Sequence, residues 1–233
     1  MGRRFIDMIY EDKDIIAVNK PRGIIVAAEK GASQQAKAKT LTNDVRRYLM
    51  HKFEGARGSY AMPLHRLDKE TTGVTLFAKS KAGLKLAADI KSHKVERIYV
   101  AIVEGQVPDE YGTIKLPLEK GDFGFGKRVE VADSGEGKMA VTRYRVIERY
   151  ENATMLEASL ETGFTHQIRV HFASIGFPLI GDKIYNAHGK IRFPRQALHA
   201  REVKFRHPVT GRKMDLKAPV PRDMDALIDM LRG

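Results

Sequence analysis

Two short stretches of the sequence concentrate side chains that can carry out chemistry. The first, PLHRLDKETTG at residues 63–73, places the carboxylate of Asp68 two residues after the cation Arg66. The second, TGFTHQIRVH at residues 162–171, contains a further cation, Arg169. Functional side chains concentrate on loops that a rigid scaffold holds, and a carboxylate there can act as a nucleophile or a proton acceptor. Asp68 is therefore a candidate reactive group.

Each stretch also has a purely structural explanation. Asp68 could accept hydrogen bonds from the turn that follows it, with Arg66 a solvated charge. His166 and His171 could be ordinary structural histidines with satisfied hydrogen bonds. Arg169 is harder to explain in this way, because it falls in the first turn of a predicted helix, where free backbone amides favour anions. The i, i+3 spacing puts His166 and Arg169 on one face of that helix.

Three other patterns suggest chemistry that their surroundings do not support. Residues 121–128, GDFGFGKR, fit a phosphate loop, but Arg128 stands where such a loop needs Ser or Thr to hold magnesium, so we predict a flexible loop. HRLD at 65–68 and DFG at 122–124 suggest a protein kinase, but the remaining kinase motifs are missing. Asp68 with Glu70 could serve a metal-dependent nuclease, which loss of activity in a chelator would reveal.

The elements that must position these residues are mostly strands. Runs of strand length and period occur as FIDMIY, DIIAVNK, IIVAA, GVTLFAK, VERIYVAIVEG, MAVTRYRVIERY, TMLEASLE and LHAREVKF. Helical spacing follows four candidate caps, which are Thr42 or Asn43, Ser80, Thr165 and Asp223. Gly55 and Gly58 are expected to end the first helix, and residues 29–40 to form a surface loop. We predict an α+β fold, with a mixed, largely antiparallel sheet flanked by helices and loops, in a single domain over residues 1–233.

Composition narrows the partner and the compartment. The 41 Lys and Arg residues against 29 Asp and Glu give a net charge of +12, which favours a polyanion such as RNA, although lysines also serve solubility. The absence of cysteine excludes disulfides, thiolate metal sites and a cysteine nucleophile, and fits a reducing cytoplasm. The first residues lack the apolar region and cleavage site of a signal peptide, and no apolar run reaches about 18 residues, so we expect neither secretion nor membrane spanning. Candidate phosphate contacts are Lys37, Lys39, Arg46, Arg47, Lys190, Arg192 and Arg195.

Four ordered motifs point to a family. The segments HRLDKETTG, RIYVAIVEG, TGFTHQIRVHFASIGFPLIGDKIY and LHAREVKFRHP, preceded by EDKDIIAVNKPRGIIV, closely resemble the RluA-type RNA pseudouridine synthases. The resemblance runs from about Ile9 to Pro221 and covers nearly the whole chain. It implies the pseudouridine synthase catalytic fold and isomerisation of uridines in ribosomal or transfer RNA, without a cofactor or a metal. The alternative is an RNA-binding folding or assembly factor that retains the fold with little catalysis.

Position by position, the resemblance implies roles for several residues. Asp68 is the catalytic carboxylate, Arg169 is the cation that pairs with it, and Tyr99 packs on the uracil and is available for proton transfer. Arg66 displaces the target uridine and takes its place in the stack, and Leu198 belongs to the wall of the pocket. The same motifs place further substrate-binding residues at His65, Thr72, His166 and Gln167.

The chemistry of the reaction explains these residue types. Isomerisation breaks the N1–C1′ bond and forms a new bond at C5, which needs an ionised carboxylate and a dry pocket that retains the freed uracil. A nearby cation favours the ionised form of a carboxylate. The carboxylate either attacks covalently or removes a sugar proton to give a glycal, and the sequence leaves both routes open. A stacked uridine must also be extruded, at a cost of a few kcal/mol.

Two positions depart from the family pattern. Phe164 stands where most relatives carry arginine, and Thr72 stands where serine is common. The missing charge at 164 implies that a phosphate or base contact is absent or is replaced by stacking on the ring. The resemblance begins close to Met1, so we expect no N-terminal S4-like RNA-binding module. The catalytic domain itself should then recognise a compact RNA stem-loop, with no obligatory protein partner and no membrane.

Overall fold

The computed structural model of the protein describes residues 6–29, 31–53, 60–122, 127–132 and 137–233, which form eleven strands and five helices. The strands are β1 Met8–Glu11, β2 Ile15–Lys20, β3 Met62–Pro63, β4 Thr72–Ala78, β5 Glu96–Glu104, β6 Tyr111–Asp122, β7 Lys127–Val131, β8 Lys138–Arg149, β9 Ala153–Leu160, β10 Leu198–Arg206 and β11 Lys213–Lys217. The helices are α1 Gln34–Ala38, α2 Leu41–Lys52, α3 Lys85–Lys91, α4 Gln167–Ser174 and α5 Arg222–Arg232.

The first of two compact units comprises Met1–Val95 and Ala200–Pro219. Its strands lie in the order β1–β2–β4–β10, with β3 beside β4 and β11 beside β10. Every residue of β4 is buried, so this strand is covered on both faces. Apolar side chains of β2, β4, β10 and β11 form the core together with Leu86 of α3 and with Leu64, which precedes the loop that carries Asp68.

The second unit comprises Glu96–His199 and Val220–Gly233. Its strands follow the order β5–β9–β8–β6–β7, and each neighbouring pair is antiparallel. One apolar cluster joins β5 to the buried face of α5. A second cluster joins β6, β7 and β8 to Val170 of α4. The helix that carries Arg169 is therefore packed directly on the antiparallel strands of its own unit.

The architecture confirms the predicted α+β fold with a largely antiparallel sheet. The segments GVTLFAK, VERIYVAIVEG, MAVTRYRVIERY, TMLEASLE and LHAREVKF form β4, β5, β8, β9 and β10. The single domain over residues 1–233 stays a prediction. No helix among the described residues combines the length and the apolar character needed to cross a bilayer.

Three local predictions are wrong. Residues 29–40 contain α1, which Ser33 caps by accepting the Ala36 N–H at 3.2 Å, and no residue of this helix is buried, so no apolar period marks it. IIVAA forms only an isolated bridge from Ile25 to Thr40. The stretch 121–128 is not a plain loop, because both of its ends belong to the hairpin of β6 and β7, while residues 123–126 lie outside the described part of the chain.

The helix starts also differ from the sequence prediction. The hydroxyl of Thr40, not Thr42 or Asn43, caps α2 by accepting the Asn43 N–H at 3.2 Å. Ser80 caps only a turn, since its Oγ accepts the Gly83 N–H at 3.0 Å and α3 begins at Lys85. In the last two helices, the residues before the first helical turn are His166 rather than Thr165, and Pro221 rather than Asp223. Gly55 and Gly58 lie outside the described residues.

Gly73 lets β4 start directly after the loop that carries Asp68. Its φ is +115°, a conformation that a residue with a side chain rarely adopts. A Cβ at this position would lie 2.1 Å from the carbonyl oxygen and 2.8 Å from the nitrogen of Ala200, in the neighbouring strand β10. Both the backbone conformation and the close strand approach therefore require glycine here.

Substitution of Gly73→Ala should lower the free energy of unfolding by more than about 2 kcal/mol, because the methyl group collides with backbone that cannot move alone. Gly211→Ala is the matched control, since Gly211 also has a positive φ, +68°, but has open space around the missing Cβ. The control should lose only about 1 kcal/mol. Urea denaturation measures both, and equal losses would show that the strand approach at Gly73 is unimportant.

Candidate active site

In the first unit, hydrogen bonds to β4 and the burial of two leucines fix the loop that contains Asp68. The Leu64 N–H donates to the Leu76 carbonyl at 2.9 Å, and the Leu76 N–H donates to Nε2 of His65 at 3.1 Å, so His65 is anchored to β4. Leu64 and Leu67 are buried, whereas Arg66 between them is exposed and Asp68 is half-buried. Burial of the leucines therefore fixes the loop and directs Arg66 toward solvent, where a nucleic acid can reach it.

A buried lysine supports the same loop, and the sequence analysis did not find it. Lys20, at the end of β2, is fully buried, and its ammonium donates to the carbonyls of Lys69 at 2.9 Å and Pro21 at 3.0 Å. The Gly23 N–H also donates to the Lys69 carbonyl, at 2.9 Å. A buried ammonium is tolerated only when acceptors replace its water. The sequence signal was a lysine closing an apolar strand immediately before a proline.

The second unit holds the loop before α4 through the side chain of Gln167. Its Oε1 accepts from the Thr162 hydroxyl at 2.8 Å and the Phe164 N–H at 3.1 Å. Its Nε2 donates to the Val141 carbonyl and the Thr142 hydroxyl, each at 3.0 Å. These bonds use both acceptor positions and both donors of the amide. Gln167 therefore ties the loop to β8, and a substrate contact would require one of these bonds to break.

Arg169 is buried in an ion pair with a residue that the sequence analysis did not select. Its Nε donates to Oδ2 of Asp182 at 2.6 Å and its Nη2 donates to Oδ1 at 2.8 Å. Side-chain exposure is 5% for Arg169 and 0% for Asp182. Burial acts to raise the pKa of Asp182, but the hydrogen bonds and charge of Arg169 outweigh it and hold that pKa below its ordinary value. The only sequence signal was the GD dipeptide of GDKIY.

Tyr185 also contacts Arg169. The guanidinium carbon lies 5.2 Å from the centre of the Tyr185 ring. The Tyr185 hydroxyl donates to the Val129 carbonyl at 2.7 Å and lies 3.1 Å from Nδ1 of His166. His166 has a left-handed backbone, with φ of 57°, which turns the chain from the loop into α4. Arg169 is therefore held by both a carboxylate and an aromatic face.

The remaining predicted site residues of the second unit lie on or beside β5. Tyr99 is buried in β5, opposite Ala158 of β9. Leu198 is buried at the start of β10, and the preceding residue, Ala197, accepts the Ile102 N–H of β5 at 3.0 Å. Thr72, in the first unit, is buried at the start of β4, next to the Asp68 loop. Each of these three residues thus lies within a strand or at the start of one.

Of two surface interpretations, the one for Arg195 is wrong, and the one for Phe164 stays a prediction. Phe164 is half-buried and packs against the cluster of β6, β7, β8 and α4, so its ring replaces the family's arginine by contributing to the core. Arg195 is only 1% exposed and cannot reach a phosphate. Its guanidinium instead forms two hydrogen bonds to Asp223, at 2.8 and 2.9 Å, and donates to the Leu198 carbonyl at 3.1 Å. Arg195 therefore shows that a basic residue cannot be assigned to the protein surface from its type alone.

A cavity of about 480 Å³ opens in the second unit next to Asp182. Its volume is within the range of sites that take small molecules or single residues of a polymer. Lys183 and Arg192 contribute exposed cations, and Phe193 contributes a half-buried ring. The charge of Asp182 is already neutralised by Arg169. The cavity is therefore cationic, and its other lining residues are Gly181, Asn186, Ala187, Gly189, Ile191 and Pro194.

One group of side chains in the first unit has the spacing of a metal site. Ligand atoms of Asp12, Asp14 and His207 lie within 4.8 Å of one another. Nδ1 of His207 accepts N–H groups from Val209 at 3.3 Å and Thr210 at 3.2 Å, so the neutral ring carries its proton on Nε2. That Nε2 lies 2.8 Å from Oδ2 of Asp12. The contact does not have hydrogen-bond geometry, however, and neither Nε2 of His207 nor Oδ2 of Asp14 has a hydrogen-bond partner among the described residues.

Comparison with known proteins agrees with the sequence resemblance. The sequence profile of the family described as RNA pseudouridylate synthase matches residues 14–174, which include Asp68, Tyr99 and Arg169. Ribosomal large subunit pseudouridine synthase D of Zymomonas mobilis is 39% identical over 97% of this chain and 73% of the relative. The uncharacterized RNA pseudouridine synthase YlyB of Bacillus subtilis is also 39% identical, with the same coverage. The solved structure of human RNA Pseudouridylate Synthase Domain Containing 4 has the same fold, with a TM-score of 0.77 at 21% identity, covering 97% of this chain and 93% of that one.

His171, two residues after Arg169 in α4, is fully buried, and neither of its ring nitrogens has a hydrogen-bond partner in the part of the chain that the structure describes. It is therefore not the satisfied histidine that the sequence favoured. Burial lowers its pKa from 6.5 to about 4, so the folded protein holds this ring neutral. The unfolded chain binds the proton first as the pH falls below about 6.5.

His171 should make the protein less stable in mild acid. Its contribution is fully present above about pH 6.5 and is lost as the pH falls toward 4, by up to about 3 kcal/mol. Substitution of His171→Leu should remove this part of the pH dependence, measured as urea unfolding between pH 7 and pH 4.5. His51→Leu, at an exposed position of α2, is the control and should keep the wild-type slope. Identical slopes for wild type and His171→Leu would contradict the assignment.

Proposed function

The chain belongs to the RNA pseudouridylate synthase family, and from this premise we propose that it isomerises specific uridines of ribosomal RNA. Membership makes the protein an isomerase that acts on RNA. We propose ribosomal RNA as the substrate because the chain is 39% identical, over 97% of its length, to a relative named for the ribosomal large subunit. The net charge of +12 supports a polyanionic substrate.

We assign the chemistry to Asp68 and its activation to Arg169. The carboxylate of Asp68 acts on the bound nucleotide, and the guanidinium of Arg169 is the cation that pairs with it and orients it. The exposed side chain of Arg66 takes the place of the uridine that leaves the RNA stack. Tyr99 and Leu198, both buried in the second unit, form the apolar surface against which the uracil turns. A further contact from Thr72 and His166 to the nucleotide belongs to the same proposal.

The reaction balances within the substrate. The N1–C1′ bond breaks, the uracil rotates, and C1′ bonds to C5. The proton that C5 loses and the proton that N1 gains keep the composition unchanged. In one route, Asp68 bonds to C1′ until C5 displaces it. In the other, Asp68 removes the proton from C2′ to give a glycal and returns it after C5 has bonded. Both routes begin from the ionised carboxylate and need water to be excluded from the freed base.

We further propose that the cationic cavity beside Asp182 receives RNA that flanks the target uridine. Lys183 and Arg192 are exposed and can neutralise phosphates, and the ring of Phe193 can stack with a base. Arg195 supports that ring from its own buried position, with its guanidinium carbon 5.4 Å from the ring centre. In this proposal the exposed Lys183 and Arg192 bind the substrate, whereas the buried Arg195 stabilises the structure around the cavity.

Mapping pseudouridine tests the proposed substrate directly. Purified protein is incubated with ribosomal RNA and, separately, with transfer RNA from a strain that lacks the gene. New pseudouridine in ribosomal RNA is the expected result. Pseudouridine in transfer RNA alone would replace the proposed substrate, and RNA binding without any new pseudouridine would favour an assembly or folding factor. Unchanged activity in excess EDTA is expected, because no step above uses a metal.

Substitution of Asp68→Asn should lower kcat by at least about 1000-fold while RNA affinity stays within threefold, since the amide keeps the shape but cannot act as a nucleophile or base. Glu70→Gln is the matched control, because it makes the same chemical change two residues away in the same loop. The control should retain kcat within threefold. An Asp68→Asn enzyme that keeps a tenth of the wild-type rate would remove Asp68 from the proposed role.

Removing both cavity cations, by Lys183→Gln with Arg192→Gln, should raise KM for RNA with little change in kcat. The slope of log affinity against log salt should become shallower by about 1.4, as expected for two phosphate contacts on single-stranded RNA. Lys81→Gln with Lys85→Gln removes two exposed cations of the first unit and is the control for overall charge. Equal changes in salt slope for the two pairs would show that the cavity has no special role.

A further inference from the structure

We infer that Asp182 is a positioning residue that sets the orientation of the Arg169 guanidinium. The inference rests on the proposed catalytic role of Arg169 and concerns how that role is made possible. Both residues belong to the second unit, and each is at least nine-tenths buried. Asp182 lines the cavity proposed for flanking RNA, but its side chain is 0% exposed and is bonded to Arg169. It acts through Arg169.

The contact between the two side chains fixes the plane of the guanidinium. Nε and Nη2 of Arg169 each donate to a different oxygen of Asp182, at 2.6 and 2.8 Å. Two parallel hydrogen bonds allow only one relative orientation, whereas a single bond would allow rotation. A guanidinium has five N–H donors. The pair uses two of them, so the other three, including both on Nη1, are directed away from Asp182.

The carboxylate that holds Arg169 is itself held by backbone. Oδ1 of Asp182 also accepts the N–H groups of Ile184 at 2.9 Å and Tyr185 at 3.2 Å. Before it, Gly181 has a φ of +71°, and a Cβ there would lie 2.2 Å from the Arg195 carbonyl oxygen. Two backbone N–H groups as well as Arg169 therefore fix the position of the Asp182 carboxylate.

The charge arrangement favours a positioning role over a purely electrostatic one. Asp182 cancels the charge that Arg169 would otherwise present, so its presence does not strengthen the field that Arg169 exerts on another carboxylate. What Asp182 supplies is direction, because its two hydrogen bonds fix the plane of the guanidinium, and the ring of Tyr185 packs beside that group with its centre 5.2 Å from the guanidinium carbon. Loss of Asp182 should therefore affect the alignment of reacting groups, which appears in kcat, rather than RNA affinity, which appears in KM.

The test compares Asp182→Asn with wild type, using ribosomal RNA from a strain that lacks the gene as substrate. The amide keeps the size of the side chain but cannot accept both donors. We expect kcat to fall at least tenfold with KM for this RNA within threefold of wild type. Asp182→Glu, which keeps the charge but moves it outward by one bond, should also lower kcat. Asp182→Glu serves as the test if Asp182→Asn does not fold. Full kcat in either variant, once folded, would overturn the inference.

Another buried arginine of the second unit, Arg195, supplies the control. Arg195 makes the same two-bond contact with Asp223, at 2.8 and 2.9 Å, and has no exposed side-chain surface. Asp223→Asn should lower the melting temperature, as Asp182→Asn does, but keep kcat within threefold. Equal losses of kcat in the two variants would show that general destabilisation explains the effect and would overturn the inference.

A double-mutant cycle with Arg169→Lys separates positioning from a merely structural role. If Asp182 acts through Arg169, the double variant should be no slower than Arg169→Lys within threefold, because the group to be positioned is already lost. If the double variant instead shows the product of the two single losses in kcat, Asp182 does not act through Arg169. The outcome is distinct from failure of the proposed function, in which wild-type protein forms no pseudouridine or Asp68→Asn stays active.

Discussion

Arginine keeps its charge in proteins, so a guanidinium can be buried only where acceptors replace the water it leaves. Arg169 meets this condition through Asp182, and much of the second unit follows from that pair. The chain must turn sharply at His166 to start α4 and again at Gly181 to deliver Asp182. Breaking such a pair from one side leaves an uncompensated charge, which makes the arrangement sensitive to either residue.

The first unit solves a similar problem with a different cation. Lys20 is fully buried, and its ammonium donates to the carbonyl of Lys69 in the supported loop and to the carbonyl of its own neighbour Pro21. Together with buried leucines and the close strand approach at Gly73, it holds the loop of Asp68 against β4. Polar groups that are buried and hydrogen-bonded have few alternative arrangements. A reactive carboxylate placed on this loop is therefore carried by a rigid support.

Burial divides the positive charges of this protein into two classes. Lys20, Arg169 and Arg195 are enclosed and bind protein oxygens, so they contribute to structure and contribute little to the surface field. Arg66, Lys183 and Arg192 are exposed and remain available to phosphates. The net charge of +12 sums over both classes. Polyanion binding therefore depends on the exposed subset, whereas the enclosed subset stabilises the fold through its hydrogen bonds.

The sequence by itself determined the family, the α+β class and most strands, because motif order and two-residue alternation are local properties of the chain. It also singled out Asp68 and Arg169, whose place in the reaction is still a prediction. The sequence did not predict α1, because an exposed short helix has no apolar period. It did not predict the cap at Thr40, because several polar residues could cap α2. Only the tertiary structure decided that Phe164 packs in a core, that Lys20 and Arg195 are buried, and that Asp182 binds Arg169. Those facts depend on which distant segments meet, and a charged or aromatic residue has the same letter whether a neighbouring strand covers it or water does.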